Sequence, residues 1–420
     1  QIIQKEFIAD VETPVSSLIK ISENEKYSFL LESVEGGDQR GRYSILGCDP
    51  DIIWEVNKNK AKVTSLNQDL DLSFLSEDPI KSLKQLVDFS KINKESNSSP
   101  FPILVGYLGY PMIQLMEKIN LNNPDEINIP DALMIRPKLV AVFDNIKDTI
   151  NIQTSIYPDK KITAELAFSK ANDYINITIK KLNRDIPKES LFKKNKKLTL
   201  DFKSNYTKKE YFNIVDKAKD YIIKGDIFQV VPSQRLKTDY NLSAQTLYRS
   251  LRRLNPSPFL VNLNFNNFGL VASSPEILVR LRENNITIRP IAGTRKRGKT
   301  INEVIKLSKD LLNDEKEIAE HLMLLDLGRN DISRVSKPGT VKVTDKMYIE
   351  YFSHVMHIVS NIEAELKDKK DSTDVLFSGF PAGTVTGAPK IRAIEIIEKL
   401  EKSRRNVYAG SVGYISNNGD

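Results

Sequence analysis

The chain has 420 residues, of which 40% are hydrophobic, and 62 basic against 55 acidic side chains give a net charge of +7. This length predicts two domains or one elaborate domain with a sizeable core, and the mild charge excess does not indicate nucleic-acid binding. No apolar run approaches the roughly 20 residues that span a bilayer, and residues 1–10 carry no secretory signal, so we expect a cytoplasmic protein.

The first 181 residues are predicted to form an α+β domain. Short segments rich in β-branched and aromatic residues, such as Tyr27–Ser33, Ile52–Val56 and Leu139–Phe143, alternate with turns and helical stretches. The single cysteine, Cys48, agrees with a reducing compartment and is expected to be a small buried apolar residue.

A polar and charged stretch, residues 182–204, is predicted to be a linker. It contains Pro187 and the basic run KKNKK at 193–197, which has no interleaved aromatic residues. We therefore expect a second domain at 205–420. It should begin with a helix, Lys208–Lys224, that stops at Gly225, followed by strands at Ile227–Gln234, Leu260–Asn264, Leu270–Ser273, Ile277–Leu281 and Ile286–Ile291.

Residues 293–300, GTRKRGKT, match the phosphate-loop pattern of nucleotide-binding proteins, and Leu322–Asp326 imitates the strand that completes such a site. This is the main rival hypothesis. We reject it because bulky basic residues occupy the loop interior, Pro290 interrupts the preceding strand, and Leu322–Asp326 lies in a helical pattern.

An acidic helix is predicted to start near Asn313 and to end at Gly328. Glu317 and Glu320 are three residues apart on it, so both carboxylates should point to one side. A solvated acidic face is the plainer explanation, but the apolar run that follows predicts partial burial. Two carboxylates would suit a hard cation such as Mg²⁺, and His321 lacks the spacing that iron sites use.

The segment PAGTVTGAPK, residues 381–390, is a loop of small residues that leads into a predicted helix, Ile391–Leu400. Such a loop can present backbone N–H groups to a carboxylate. Lys390 could add positive potential near such a site, but a water-exposed lysine at the helix start is the plainer expectation. Ser411–Ser416 followed by Asn417–Asp420 predicts a strand and a hairpin turn that lacks its returning strand, so we expect the natural chain to continue.

Six segments together resemble the chorismate-utilising enzymes, and within them anthranilate synthase component I. They are GDIFQVV (225–231), SSPEIL (273–278), RPIAGTR (289–295), EKEIAEHLMLLDLGRND (315–331), SHVMH (353–357) and PAGTVTGAPK (381–390). The resemblance implies an α+β fold with large antiparallel sheets packed as a sandwich and helices outside. It also implies an N-terminal regulatory domain at 1–181 and a chorismate-binding domain at 205–420.

Two positions distinguish the reactions of these enzymes. Relatives that add water carry a lysine base where this chain has Gln229, and an amide cannot take a proton, which suits ammonia as nucleophile. Many aminodeoxychorismate synthases carry a nucleophilic lysine where this chain has Ala292. The resemblance therefore favours conversion of chorismate and ammonia to anthranilate and pyruvate, with aminodeoxychorismate synthase or isochorismate synthase as alternatives.

The resemblance also assigns roles to individual residues. Glu276 would be the general acid for the departing C4 hydroxyl, and His357 would position or assist that group. Glu320, supported by Glu317, would hold Mg²⁺ against the ring carboxylate. The substrate would be bound by Gly293, Thr294, Thr384 and Tyr408.

Leu30–Ser33 and Asn255–Phe259 resemble the tryptophan feedback site of these enzymes, although each would pass for an ordinary strand end or turn alone. Tryptophan is expected between the two segments, in contact with Glu32, Ser33, Asn255, Pro258, Phe259 and Leu260. Binding there would lower substrate affinity through linkage between two sites.

The sequence lacks a Cys-His glutaminase signature, so a separate glutamine amidotransferase subunit, component II, is expected to supply ammonia in a hetero-oligomer. In the family that the chain resembles, a second pair of Mg²⁺ carboxylates lies downstream of a segment like Tyr408–Ser416. We therefore expect the 420-residue chain by itself to bind Mg²⁺ weakly and to turn over chorismate poorly.

Overall fold

A computed structural model describes residues 1–35, 39–66, 70–92, 101–157, 161–187 and 200–420. The basic run at 193–197, with most of the predicted linker, lies outside the described residues. None of the helices in the described part of the chain combines the length and apolarity that crossing a lipid bilayer requires.

The structure alternates strands and helices along the chain. The strands are β1 Ile2–Ile8, β2 Tyr27–Glu32, β3 Val34–Glu35, β4 Gln39–Arg40, β5 Tyr43–Asn57, β6 Lys60–Ser65, β7 Pro102–Leu108, β8 Ala132–Asp144, β9 Thr149–Ser155, β10 Lys203–Ser204, β11 Gln229–Val230, β12 Leu236–Lys237, β13 Phe259–Phe265, β14 Phe268–Ser274, β15 Arg280–Arg282, β16 Asn285–Ile288, β17 Ile291–Lys296, β18 Lys342–Tyr351, β19 Val355–Glu365, β20 Gly387–Ala388 and β21 Ser411–Ser416. In the described residues the α-helices are α1 Pro14–Ile21, α2 Pro79–Ser90, α3 Ala164–Leu182, α4 Lys208–Ile223, α5 Ala244–Leu254, α6 Ile301–Asn313, α7 Glu315–Ser333, α8 Ser372–Gly379 and α9 Lys390–Leu400, and short 3₁₀ turns lie at Tyr110–Leu115 and Gly383–Val385.

The largest sheet has ten antiparallel strands in the order β1-β9-β8-β5-β2-β13-β14, with β6 beside β5, β7 beside β8 and β21 beside β7. Successive side chains of a strand point to opposite faces, and Phe29 and Leu30 accordingly enter different hydrophobic clusters. Both faces of this sheet are therefore covered. The sheet contains strands from both sides of residue 205, and the division into two domains stays a prediction.

A second sheet of five antiparallel strands has the order β15-β16-β19-β17, with β18 on β19. Helix α7 packs against it through a cluster that includes Leu325, Ile332, Ile288 and Ile362. The antiparallel sheets with packed helices confirm the predicted α+β fold class.

The predicted end of α7 at Gly328 is wrong, because the helix continues to Ser333. A Cβ atom on Gly328 would lie 3.1 Å from Ile362 Cδ1 and 3.3 Å from Pro290 Cγ. The glycine therefore allows the helix to approach the sheet closely and does not cap it. Gly225 is the contrary case: it follows α4 with φ +78° and ends the helix as predicted.

Several predicted strands are shorter or divided in the structure. Ile227–Gln234 is reduced to β11, since Pro232 offers no N–H and the Ser233 N–H donates to a side chain, Glu401. Ile286–Ile291 is split into β16 and β17 around Pro290, and the strand predicted at 277–281 begins only at Arg280. The expectation that Ser411–Ser416 lacks a partner is wrong, because β21 pairs with β7.

Candidate active site

A β-bulge places backbone groups of Gly293 and Thr294 beside His357. The register of β17 against β19 shifts between Ala292 and Thr294, and Gly293 has φ +76°, which glycine adopts without strain. His357 Nδ1 lies 3.1 Å from the Gly293 carbonyl oxygen and 3.0 Å from Thr294 Oγ1. Since a carbonyl only accepts, Nδ1 carries the proton and Nε2 keeps its lone pair. Burial lowers the His357 pKa, which favours the neutral ring.

The two glutamates of α7 connect this bulge to β11. The helix begins after Asp314, whose carboxylate accepts the N–H groups of Lys316 and Glu317. Glu317 Oε2 accepts the Thr294 N–H at 3.1 Å, and Glu320 Oε1 accepts Gln229 Nε2 at 3.0 Å. Both carboxylates are partly buried. The structure thus brings together four residues that the sequence singled out.

Glu276 and Thr384 form a second pair. Thr384 Oγ1 donates to Glu276 Oε2 at 2.9 Å. Desolvation raises the pKa of Glu276 to about 7, and the bond from Thr384 offsets this only in part. A carboxyl with such a pKa is substantially protonated at neutral pH and can act as a general acid. A narrow cavity of about 40 Å³ adjoins the pair and reaches Asp331.

The loop that carries Thr384 is joined to the segment that carries Gln229. Strand β11 pairs with β20, so that Gln229 lies opposite Ala388. Phe228 N–H donates to the Ala388 carbonyl at 2.8 Å. The pairs Glu276–Thr384 and Gln229–Glu320 therefore belong to one connected site. Tyr408 is 49% exposed, and its ring packs 5.3 Å from the Arg405 guanidinium.

The expectation that Lys390 is an exposed helix-start lysine is wrong. Its side chain is only 10% exposed, and its Nζ donates to Asp331 Oδ2 at 2.7 Å and to the Gly379 carbonyl at 3.3 Å. Burial lowers the pKa of Lys390 and raises that of Asp331. The lysine thereby joins the end of α7 to the start of the loop between α8 and α9, residues 380–389, which we call the 380–389 loop.

His321, next to Glu320, points away from the acidic pair. The ring is fully buried, and its Nε2 lies 2.7 Å from Ser360 Oγ on β19. Burial lowers its pKa to about 4, so the ring is neutral under ordinary conditions. His321 is thus part of the contact between helix and sheet.

The basic loop at 293–300 does not have the geometry of a phosphate loop. Gly293 and Thr294 lie within β17, and Leu322–Asp326 lies within α7 as predicted. Two N–H groups of the remaining loop already have acceptors. Arg297 N–H donates to the His354 carbonyl, and Lys299 N–H donates to Glu303 Oε2 at 2.8 Å. Neither group is free to wrap a phosphate, which supports the rejection of that hypothesis.

The residues predicted to bind tryptophan lie around the junction of β2 and β13. Leu260 is paired with Glu32. If the antiparallel register is extended by one residue, Ser33 lies opposite Phe259, which follows Pro258 in the chain. Glu32 is buried, and both its oxygens accept from Arg252, at 2.7 and 2.9 Å. Tyr248 also donates to it, and burial next to this carboxylate raises the Tyr248 pKa. The buried Glu32 side chain therefore joins strand β2 to helix α5, which carries Arg252 and Tyr248.

On the far side of this junction, Asn255 is held by its own turn. Its Nδ2 donates to Ser273 Oγ at 3.3 Å, and its carbonyl accepts from the same hydroxyl at 2.7 Å. Ser273 is three residues from Glu276 along the chain. Contact with tryptophan stays a prediction for all six residues.

The donor chemistry around α7 fits Mg²⁺. Glu317 and Glu320 offer hard oxygen ligands, and Mg²⁺ commonly takes only one or two protein carboxylates together with oxygens from substrate and water. No cluster of three or more potential metal-ligating side chains occurs in the described ranges. Glu320 has one carboxylate oxygen bonded to Gln229, and the Glu317 carboxylate accepts the Thr294 N–H. Glu320 is the better candidate for direct contact, because Glu317 Oε1 already lies 3.9 Å from Arg295 Nη1 and 3.8 Å from Lys316 Nζ.

The sequence alone did not point to Asp331, Glu401 or Arg405 as site residues, and it did not predict the burial of Lys390. Arg405 carried no signal, because an arginine in the stretch SRRNVY resembles any surface residue. Lys390 stands next to the small-residue loop, so its position was visible but its burial was not.

Comparison with known proteins gives consistent matches across the chain. A family model described as chorismate binding enzyme matches residues 28–420. Anthranilate synthase component 1 of Cereibacter sphaeroides is 46% identical over 423 residues, which cover 100% of this chain and 84% of that protein. The Aquifex aeolicus protein of the same name is 43% identical and matches 99% of this chain and 83% of its own length.

Among solved structures, the crystal structure of anthranilate synthase component I from Streptococcus pneumoniae superimposes with a TM-score of 0.77. It is 33% identical to this chain, and the superposition covers 90% of this chain and 81% of that one.

Proposed function

The chain belongs to the chorismate-binding enzyme family, and from this premise we propose that it is a lyase that converts chorismate and ammonia to anthranilate and pyruvate. The relatives named anthranilate synthase component 1 support this activity over the whole length of the chain. The structural observation that carries the proposal is the Glu276–Thr384 pair, which provides a carboxyl with a pKa of about 7. The loop that carries Thr384 is joined to the Gln229 segment by the pairing of β11 with β20.

Each side chain has a role in this reaction. Gln229 cannot act as a base, so the attacking nucleophile must already be basic, as ammonia is. Ammonia adds at C2 of chorismate, and Glu276 donates its proton to the C4 hydroxyl, which leaves as water. His357, with its proton held on Nδ1, presents Nε2 to the departing group. The C2 hydrogen then leaves as a proton while the bond from C3 to the enolpyruvyl oxygen breaks. The released enolpyruvate takes up a proton to become pyruvate, and the ring becomes the aromatic ring of anthranilate.

The bulge and the loop bind the substrate in this proposal. The Gly293 carbonyl and the Thr294 hydroxyl face His357, and Thr384 orients Glu276. Glu320 and Glu317 would hold Mg²⁺, and Tyr408 would donate to a carboxylate. When bound, the ion supplies positive charge that offsets the negative charge of the substrate carboxylate. Ala292, with only a methyl group, cannot form a covalent intermediate.

The designation component 1 carried by the relatives implies a partner component. We propose a glutamine amidotransferase that delivers ammonia, in a hetero-oligomer that is feedback-inhibited by tryptophan and works in the cytoplasm. The N-terminal region 1–181 would hold most of the inhibitor site, and 205–420 would hold the catalytic groups, with 182–204 between them.

The test is to mix protein expressed from the complete gene with chorismate, Mg²⁺ and ammonium, and to follow anthranilate fluorescence. We expect a signal that requires Mg²⁺ and that tryptophan suppresses. Chromatography of the same mixture separates the rivals, because aminodeoxychorismate or isochorismate in place of anthranilate would refute the proposed reaction. An E276Q variant that folds like the wild type serves as the blank.

A further inference from the structure

Glu401 and Arg405 form a buried ion pair directly after helix α9. Each residue is 6% exposed. Arg405 Nε and Nη2 donate to the two Glu401 oxygens at 3.0 and 2.6 Å, which is the bidentate geometry that a guanidinium and a carboxylate share. Neither residue has a role in the chemistry described above, although Arg405 is three residues and Glu401 seven residues before Tyr408 in the chain.

The remaining donors of Arg405 reach two different loops. Nη1 donates to the Val385 carbonyl at 2.9 Å, and Nη2 donates to the Val231 carbonyl at 2.7 Å. Val385 follows Thr384, and Val231 is two residues after Gln229. One guanidinium therefore joins the segment that orients Glu276 to the segment that bonds Glu320.

Glu401 strengthens the same connection. Its Oε1 accepts the Ser233 N–H at 2.6 Å and the Ser233 hydroxyl at 2.9 Å. The Arg405 guanidinium also packs against the rings of Tyr110 and Tyr408, each 5.3 Å away. The pair thus contacts the Gln229 segment, the Thr384 loop and the Tyr408 ring at once.

We propose that Arg405, fixed by Glu401, is a positioning residue that sets the distance between the Gln229 and Thr384 segments and so the shape of the chorismate site. This role rests on the proposed function. A buried ion pair is not by itself a strong source of stability, because desolvation offsets much of the attraction. The planar fork of arginine has fixed directions, which lysine lacks. The pair is therefore suited to fix geometry.

The decisive variants are R405K and R404K. A lysine at 405 keeps the charge opposite Glu401, but a single ammonium cannot follow the guanidinium's directions to both carbonyls and the carboxylate. Arg404 is the matched control, since it is adjacent and largely buried, and its side chain donates to Asp131 at 2.8 Å and its N–H to the Pro124 carbonyl, both outside the two loops. Both variants are compared with the wild type in two independent measurements.

The first measurement is hydrogen exchange followed by mass spectrometry, which needs no substrate. In R405K we expect amide exchange to accelerate at least tenfold in peptides covering 228–233 and 380–388, while the large sheet is unchanged. In R404K these peptides should exchange as in the wild type. Equal exchange in the two variants, or a uniform increase over the whole R405K chain, would overturn the inference.

The second measurement is steady-state kinetics. We expect R405K to raise the KM for chorismate about tenfold with a smaller change in kcat, and R404K to leave both near the wild type. A KM unchanged in R405K would overturn the inference.

If R405K does not fold, E401Q replaces it, because the amide of glutamine keeps one acceptor oxygen. Hydrogen exchange and a KM equal to those of the wild type in E401Q would overturn the inference. Accelerated loop exchange in R405K with a wild type that makes no anthranilate would refute the proposed function and leave the positioning role standing.

Discussion

The predicted inhibitor region and the candidate active site are held together in different ways. In the first, β2 and β13 are neighbours in one sheet, and a continuous ladder from Tyr27 to Glu32 fixes their relative position. In the second, the groups come from β17, α7, β11 and the 380–389 loop. They are joined by a strand pairing of only two residues and by single side-chain bonds such as Gln229–Glu320. Substitutions should therefore affect mainly stability in the first region and mainly activity in the second.

The largest expected effect is that of E276Q. Glutamine keeps the shape but has no proton to donate, so we expect kcat to fall by about 10²- to 10⁴-fold. The melting temperature should stay close to that of the wild type, which circular dichroism checks. A variant that keeps more than a tenth of the wild-type kcat would show that Glu276 is not the acid.

Substitution of Glu32, in contrast to that of Glu276, should affect mainly the stability of the protein. E32Q leaves Arg252 and Tyr248 with a neutral partner, and breaking a buried pair costs about 3–5 kcal/mol. Because Arg252 is 26% exposed, we expect the free energy of unfolding to fall by roughly 2–3 kcal/mol, measured by urea denaturation. The control E77Q removes the pair between Glu77 and Lys60, whose side chains are 79% and 77% exposed, and should cost under about 1 kcal/mol. Equal losses in the two variants would contradict the comparison.

The pH dependence of activity should report on Glu276. The general acid is active when protonated, and its pKa is raised to about 7. We therefore expect kcat/KM for chorismate to be highest below pH 7 and to fall about tenfold per pH unit well above it. Total ammonium must be adjusted so that free ammonia is constant at each pH. A flat profile between pH 6 and pH 8.5 would contradict the assignment.

Two glycines separate backbone strain from active-site geometry. Gly293 and Gly339 have φ of +76° and +78°, so alanine at either position should cost about 1–2 kcal/mol of stability. A Cβ at 293 would lie 3.1 Å from Ile358 Cδ1 and 3.4 Å from Glu317 Oε2, whereas a Cβ at 339 meets nothing within 4 Å. We expect about tenfold lower kcat/KM in G293A only, measured in the fluorescence assay. Equal kinetics in the two variants would exclude a substrate role for the bulge.

The smallest expected effect concerns Ser33. Loss of one hydrogen bond to a ligand corresponds to roughly a two- to tenfold change in affinity. We expect Ser33→Ala to raise the tryptophan concentration for half-inhibition by that factor, with kcat unchanged. Unaltered inhibition would argue against tryptophan contact at Ser33.

The sequence was sufficient where local rules apply. The apolar pattern and the glycine stop predicted α4, and the capping box of Thr207 and Glu210 closes its first turn. The spacing of Glu317 and Glu320 placed them on one side of α7, and both do bond to other site residues. The long, ordered set of segments between 225 and 390 indicated the family. These features depend on residues that are close together in the chain.

Tertiary structure alone decided where distant segments meet. Gly328 has the composition of a helix end, yet contact with Ile362 and Pro290 makes it an interior position, and Lys390 is buried because Asp331 lies opposite it. Arg405 becomes the link between Val231 and Val385 only when three segments far apart in sequence converge. The physical reason is that local propensity is set by neighbouring residues, whereas burial and ion pairing are set by packing between residues that the chain order does not relate.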